Sequence, residues 1–149
     1  MAACRPISGL IVSKPMSEAE HFIDTNVLLY LLSGDARKAD RAEEVLQAGG
    51  TTSVQVLNEF ASVASRKLKM SIAEIREVLE TIRAVCKVSP LTEESHVLGL
   101  RISEQYRLSI YDAMIASAAF ISGCSVLWSE DMQHGLVVDQ RLVIQNPFG

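Results

Sequence analysis

Short apolar runs alternate along this chain with longer stretches of helical periodicity, and that alternation commits it to a parallel sheet with crossover helices. His21-Phe22-Ile23 reads as a short buried strand. The polar turn Asp24-Thr25-Asn26 follows, then a helix through Val27 to Leu32 that ends near Gly34. A second helix is predicted from Ala36 to Ala48, with Ala39, Ala42, Val45 and Leu46 on one face and charges opposite. Gly49-Gly50 stops it, and Thr51 to Val54 reads as a brief strand. Gln55 to Leu68 forms the next helix, with Val56, Leu57, Phe60, Val63 and Ala64 as its apolar stripe. Ser71 caps another helix, in which Ile72, Ile75, Val78, Leu79 and Ile82 recur at helical spacing. A strand over Ala84 to Val88 precedes helices at Thr92 to Tyr106 and Ile110 to Ile121. A strand at Ser125 to Trp128 follows, and Arg141 to Ile144 reads as a final edge strand. The expected architecture is a single α/β sandwich, a mainly parallel central sheet flanked by helices.

A chain of 149 residues fits one such domain and can bury its core without a staple. Hydrophobic residues at 48% against 21% charged exclude a disordered chain. Cys4, Cys86 and Cys124 are odd in number and widely spaced, so neither a disulfide framework nor a zinc site is indicated. They suit a reducing cytoplasm, with Cys86 and Cys124 as small apolar core residues. No run approaches a membrane span, and the first residues lack the apolar stretch of a secretory signal. Residues 1–19 read as a flexible N-terminal arm and 20–149 as the folded domain; Met16 offers an internal start.

Four carboxylates stand out. In an open parallel sheet, ligands bind beyond the carboxyl ends of the strands, where strand order reverses. Asp24 ends the first strand and Asp131 follows the strand ending at Trp128, so both fall on one rim. Asp112 lies in the first turn of the helix leading into that later strand. Glu59 shares a helix face with Val56 and Val63, where an uncompensated carboxylate is costly. A divalent cation held by several acids supplies the compensation. Hard Mg²⁺ or Mn²⁺ prefers oxygen ligands, and such ions activate water for phosphodiester hydrolysis. Asn26 and Ser129 suit the orienting of carboxylates or water, while Thr25 can cap the helix or touch the ion.

Each acid also fits an ordinary structural role. Asp24 or Asn26 can be an N-cap, Ser109 with Asp112 makes a capping box, and Asp131 beside Glu130 suits a turn. A net charge of −4 is awkward for phosphate contacts, yet bases cluster at Arg37-Lys38-Arg41, at Arg66-Lys67-Lys69 and at Arg101 and Arg107. Solvated helix faces account for any one cluster equally well. His21, His96 and His134 lack paired metal-ligand spacing and read as structural or solvent-facing. With aromatics at 5%, Trp128 reads as a residue packing at the rim rather than a base-stacking platform.

The segments FIDTNVLLYLL around Asp24, VLNEF around Glu59, YDAMIASAA around Asp112 and LWSEDMQHG around Asp131 resemble the PIN-domain family. They are most similar to the toxin ribonucleases of bacterial VapBC-type toxin–antitoxin pairs, in order and spacing, from about His21 to Phe148. The resemblance implies a three-layer α/β sandwich, Mg²⁺ or Mn²⁺ at Asp24, Glu59, Asp112 and Asp131, and endonucleolytic cleavage of RNA. Asn26 occupies the family's third polar position, and the pattern favours Asp131 over Glu130 as the facing acid. A homodimer and an antitoxin protein that covers the site are also implied. A catalytically idle PIN-like module that binds RNA or a protein is the competing reading. A phosphoacceptor receiver domain fits less well, because Thr25-Asn26, not a second acid, follows Asp24 and Glu59 sits within a helix.

Overall fold

In the computed structural model, which describes residues 20–149, strand β1 (His21–Ile23) leads into helix α1 (Thr25–Leu29), a 3₁₀ turn (Tyr30–Leu32) and α2 (Ala36–Gln47). Strand β2 (Gly50–Ser53) precedes α3 (Val54–Arg66) and α4 (Ile72–Val85); β3 (Cys86–Ser89) precedes α5 (Glu93–Tyr106) and α6 (Ile110–Ile121). The chain closes with β4 (Val126–Trp128), β5 (Val137–Val138) and β6 (Leu142–Gln145). The arm expected over residues 1–19, with Cys4 and Met16, lies outside the described residues.

Hydroxyl caps set most of the helix starts. Ser53 accepts from the Val56 amide, Ser71 closes a full capping box with Glu74, and Thr92 does so with Ser95. The predicted first helix is split: its α-helical part stops at Leu29 and tightens to 3₁₀ through Leu32.

The sheet order is β3-β2-β1-β4-β6-β5, parallel throughout except for the β5–β6 pair. Successive strands run outward from β1 on one side, and the later strands build on the other. The order therefore reverses between β1 and β4, where Phe22 pairs with Leu127 and Ile23 with Trp128. Phe22, Ile23, Leu127 and Ile144 are fully buried on the strands. Leu28, Phe60, Ile82 and Ile102 meet them from the helices, as covered parallel strands require. Cys86 and Cys124 are buried free thiols, which burial pushes up to about 12 and about 11.

One expectation is overturned. The sequence predicts an edge strand at residues 141–144, but β6 lies between β4 and β5, and the edge is β5. Two residues are too few to show an alternating pattern. The turn behind them also lacks the usual glycine signal, because Asp139 and Gln140 themselves adopt φ of 48° and 60°. Asp139 is held there by Arg101 at 2.5 Å and by the Tyr106 hydroxyl at 2.8 Å.

Gly50 is where backbone freedom matters. Its φ is +146°, and a Cβ there would lie 2.6 Å from the His21 carbonyl oxygen on β1. That oxygen is backbone and cannot rotate away. Gly50→Ala is expected to destabilise the fold by about 2 kcal/mol. Urea unfolding reads this as a lower midpoint, and an unchanged midpoint would refute the close approach.

Candidate functional site

The carboxyl ends of β1 and β4 bring Asp24 and the Ser129-Glu130-Asp131 segment side by side. The Asp24 amide donates to the Trp128 carbonyl at 3.0 Å, which carries the ladder one residue past β1. Asp24, Glu59, Asp112 and Asp131, together with Thr25, Asn26 and Arg66, line one cleft of about 280 Å³. All four predicted acids thus meet at the point where strand order reverses.

Asp24 is only 3% exposed. The Thr25 amide donates to its Oδ1 at 2.6 Å, while Ser129 Oγ (2.8 Å) and Asn26 Nδ2 (3.1 Å) donate to its Oδ2. Burial raises its carboxyl to about 7, and the charges of Asp112 and Glu59 add to the rise. The bonds from Ser129 and Thr25 oppose it without prevailing. Asp112 is also raised, chiefly by burial and then by Asp131 and Glu59. Ser109 Oγ accepts from its amide at 3.3 Å, one half of the capping box expected from sequence, and its carboxylate lines the cleft.

Glu59 proves better accommodated than its place beside an apolar stripe suggested. It is half-buried, and Thr25 Oγ1 (2.9 Å) and Gln55 Nε2 (3.0 Å) donate to its two oxygens. The costly acid in this cleft is Asp24. Asp131 is exposed at the mouth. Glu130 turns elsewhere: Tyr30 Oη and Lys38 Nζ each donate to it at 2.7 Å, and Lys38 also stands over the Tyr30 ring. The Glu130 amide donates to Asn26 Oδ1 at 3.0 Å. The segment carrying Ser129 and Asp131 is therefore pinned from both sides.

Sequence reasoning overlooked four of these partners. Gln55 precedes Glu59 by one helical turn, a spacing that signals a shared face. Arg66 and Lys38 were counted only as members of basic clusters, and Tyr30 as an apolar helix residue. Nothing local connects Lys38 and Tyr30 to Glu130, which lies about a hundred residues on. His134 Nδ1 accepts from the Asn146 amide at 3.0 Å, and His21 stacks edge-on against Trp128, both structural contacts.

The donor set is entirely oxygen, which suits a hard divalent ion. Among the described residues no three His, Cys, Asp or Glu side chains are grouped as a ready-made cage. A hard ion that keeps several waters needs only one or two direct carboxylates, so this spacing is compatible with one. Burial first, and the neighbouring acids second, raise the Asp24 and Asp112 carboxyls, and a bound cation would offset both costs of their ionised forms.

A model of the PIN domain matches residues 21–136. The chain belongs to the PIN domain family. Solved PIN-fold neighbours share its architecture at low identity. A toxin–antitoxin complex from Klebsiella pneumoniae aligns with a TM-score of 0.66 and 17% identity, covering 86% of this chain and 98% of that one. VapC20 of Mycobacterium tuberculosis, a sarcin–ricin loop cleaving toxin, aligns at 0.58 and 18%, covering 75% and 90%. VapBC2 of Rickettsia felis, bound to a promoter DNA fragment, aligns at 0.60 and 18%, covering 85% and 97%. Among curated proteins none matches this PIN domain in sequence.

Proposed function

We propose that this PIN domain is a divalent-metal-dependent endoribonuclease and the toxin of a toxin–antitoxin pair. The observation that carries the reading is a buried carboxylate, Asp24, lining one cleft with three other acids. Asp24, Asp112 and Asp131, with Glu59, would hold Mg²⁺ or Mn²⁺, one or two of them directly and the others through its waters. When bound, the ion lowers the pKa of an attacking water and neutralises charge on the reacting phosphate and leaving oxygen.

The chain's own groups do the positioning. Ser129 Oγ and Asn26 Nδ2 both address Asp24 Oδ2 and fix that carboxylate's orientation. Thr25 and Gln55 each donate to one Glu59 oxygen and fix its carboxylate in the cleft wall. Arg66 lines the same cleft and offers a guanidinium to the RNA phosphate that must approach these acids.

An antitoxin partner is supported by the toxin–antitoxin complexes among the structural neighbours, and a homodimer by the family resemblance. Two buried free thiols suit a reducing cytoplasm, and among the described residues no helix is long and apolar enough to cross a membrane. The competing reading, an idle PIN-like module, draws on the open spacing of the acids.

Purified protein is expected to cleave labelled RNA with Mg²⁺ or Mn²⁺ and to stop on addition of EDTA. Asp112→Asn is expected to lower the rate roughly a hundredfold or more. Cleavage that survives EDTA would sink the mechanism. A small antitoxin-like reading frame beside the gene would separate a toxin from a housekeeping nuclease.

A further inference from the structure

The carboxyl rim of the sheet carries a second depression beside the acidic cleft. It encloses about 500 Å³ over the ends of β2 and β3, where the first turns of α3, α5 and α6 converge. Gln55 forms the wall between the two. Its Nε2 donates to Glu59 Oε2 at 3.0 Å on the acidic side and to the Tyr111 carbonyl at 3.1 Å on the other. Tyr111 lines the second depression and its neighbour Asp112 lines the first. A strand held at the acids has this depression as its immediate continuation along the rim.

The lining differs from that of the cleft. It contains no Asp, Glu, Lys or Arg, so it suits neither a metal ion nor a phosphate. Tyr111 is 70% exposed, Leu91 56% and Ile110 48%, which leaves broad apolar faces in water. Exposed His96 and the side chain of Gln55 bring hydrogen-bonding groups to the same wall. Flat apolar surfaces with polar groups at the edge match a planar heterocycle, and the volume falls within the range of small-ligand sites.

We propose that this depression receives an unpaired RNA base next to the scissile phosphate, a reading that rests on the ribonuclease function proposed above. Tyr111 stacks on the base, Leu91, Ile110 and Met114 floor the site, and His96 and Gln55 meet the base edge.

Oligonucleotides with one abasic position, scanned along the strand, test this with full-length protein and Mn²⁺. An abasic site beside the cleaved bond is expected to lower kcat/KM roughly five- to hundredfold, the range one stacked base commands. Tyr111→Ala and His96→Ala remove exposed side chains and leave the core intact. In Tyr111→Ala intact RNA is expected to lose a similar factor and the penalty for the abasic site to disappear, while His96→Ala, which leaves the stack, is expected to shrink both. Fluorescence anisotropy with EDTA present reads the same loss in binding alone. Variants that keep the full abasic penalty overturn the proposal, as does cleavage by the wild type that ignores the abasic position. If Tyr111→Ala instead dissociates an oligomer while base discrimination persists, the depression is a subunit contact and the proposal falls. A wild type that neither binds nor cleaves RNA overturns the ribonuclease reading itself.

Discussion

Asp24→Asn is expected to abolish RNA cleavage and yet stabilise the metal-free protein at pH 8. The two effects come from one property of the site. Asp24 ionises at about 7 in the folded chain against an ordinary value of 3.8, because burial and its acidic neighbours disfavour its charge. Between those values the folded chain keeps a proton that the unfolded chain has lost. Stability contributed by this carboxyl is thus full below about 3.8, declines as pH rises, and is gone above about 7. The charge then costs on the order of 4 kcal/mol. Asparagine removes that charge but sets its own amide against the Asn26 amide, one of the donors to Oδ2, while the Ser129 hydroxyl can reverse. The net gain is expected to be about 2 kcal/mol at pH 8, roughly 5 °C in melting temperature, to cross zero between about pH 5 and 6, and to become a loss of about 2 kcal/mol near pH 4, where the charge cost is gone and the amide mismatch remains. Activity is expected to fall roughly a thousandfold or more, since the proposed metal site would lose its buried carboxylate. Melting curves across pH, beside cleavage assays, check both halves. A lower melting temperature at pH 8 would mean that the hydrogen bonds of Asp24 outweigh its charge penalty, and surviving cleavage would remove it from the metal site.

The sequence made the placement of the acids legible but not their energetic ranking. β1 and β4 announce themselves as apolar runs, and an acid just beyond each must reach the same rim once the strands are adjacent and parallel. Glu59 looked the most costly because helical periodicity sets it beside an apolar stripe. Its relief comes from Thr25, thirty-four residues earlier, and from Gln55 on its own helix. Asp24 looked like an ordinary cap, and it does accept from the Thr25 amide. Its depth depends on how α1, α3 and the β4 loop close around it, which no local pattern encodes. Glu130 and Asp131 are neighbours of the same type, and only the Tyr30 and Lys38 contacts send one outward and leave the other at the cleft. The β5 edge was missed for a related reason. Its turn is held by the side chain of Asp139 against Arg101 and Tyr106 rather than marked by glycine.

The same raised carboxyl would make binding of the proposed ion at Asp24 a proton-releasing event. A divalent ion binds the carboxylate and not the acid, so below about 7 it must displace the Asp24 proton. Apparent affinity for Mn²⁺ is expected to weaken about tenfold for each pH unit below 7 and to level off above it. Asp112, also raised, steepens the fall once its own proton must leave. Because stabilisation follows RT ln(1 + [L]/Kd), a Mn²⁺ concentration a hundredfold above Kd would contribute about 2.7 kcal/mol at pH 8 and far less at pH 5.5. Titration calorimetry in buffers of different ionisation enthalpy counts the protons directly, with about one released near pH 6 and few at pH 8. In Asp24→Asn the weak residual binding is expected to lose this slope between pH 6 and 7. Wild-type affinity that stays level across that range would show that the ion does not bind Asp24, and the metal would then have to be sought among Glu59, Asp112 and Asp131 alone.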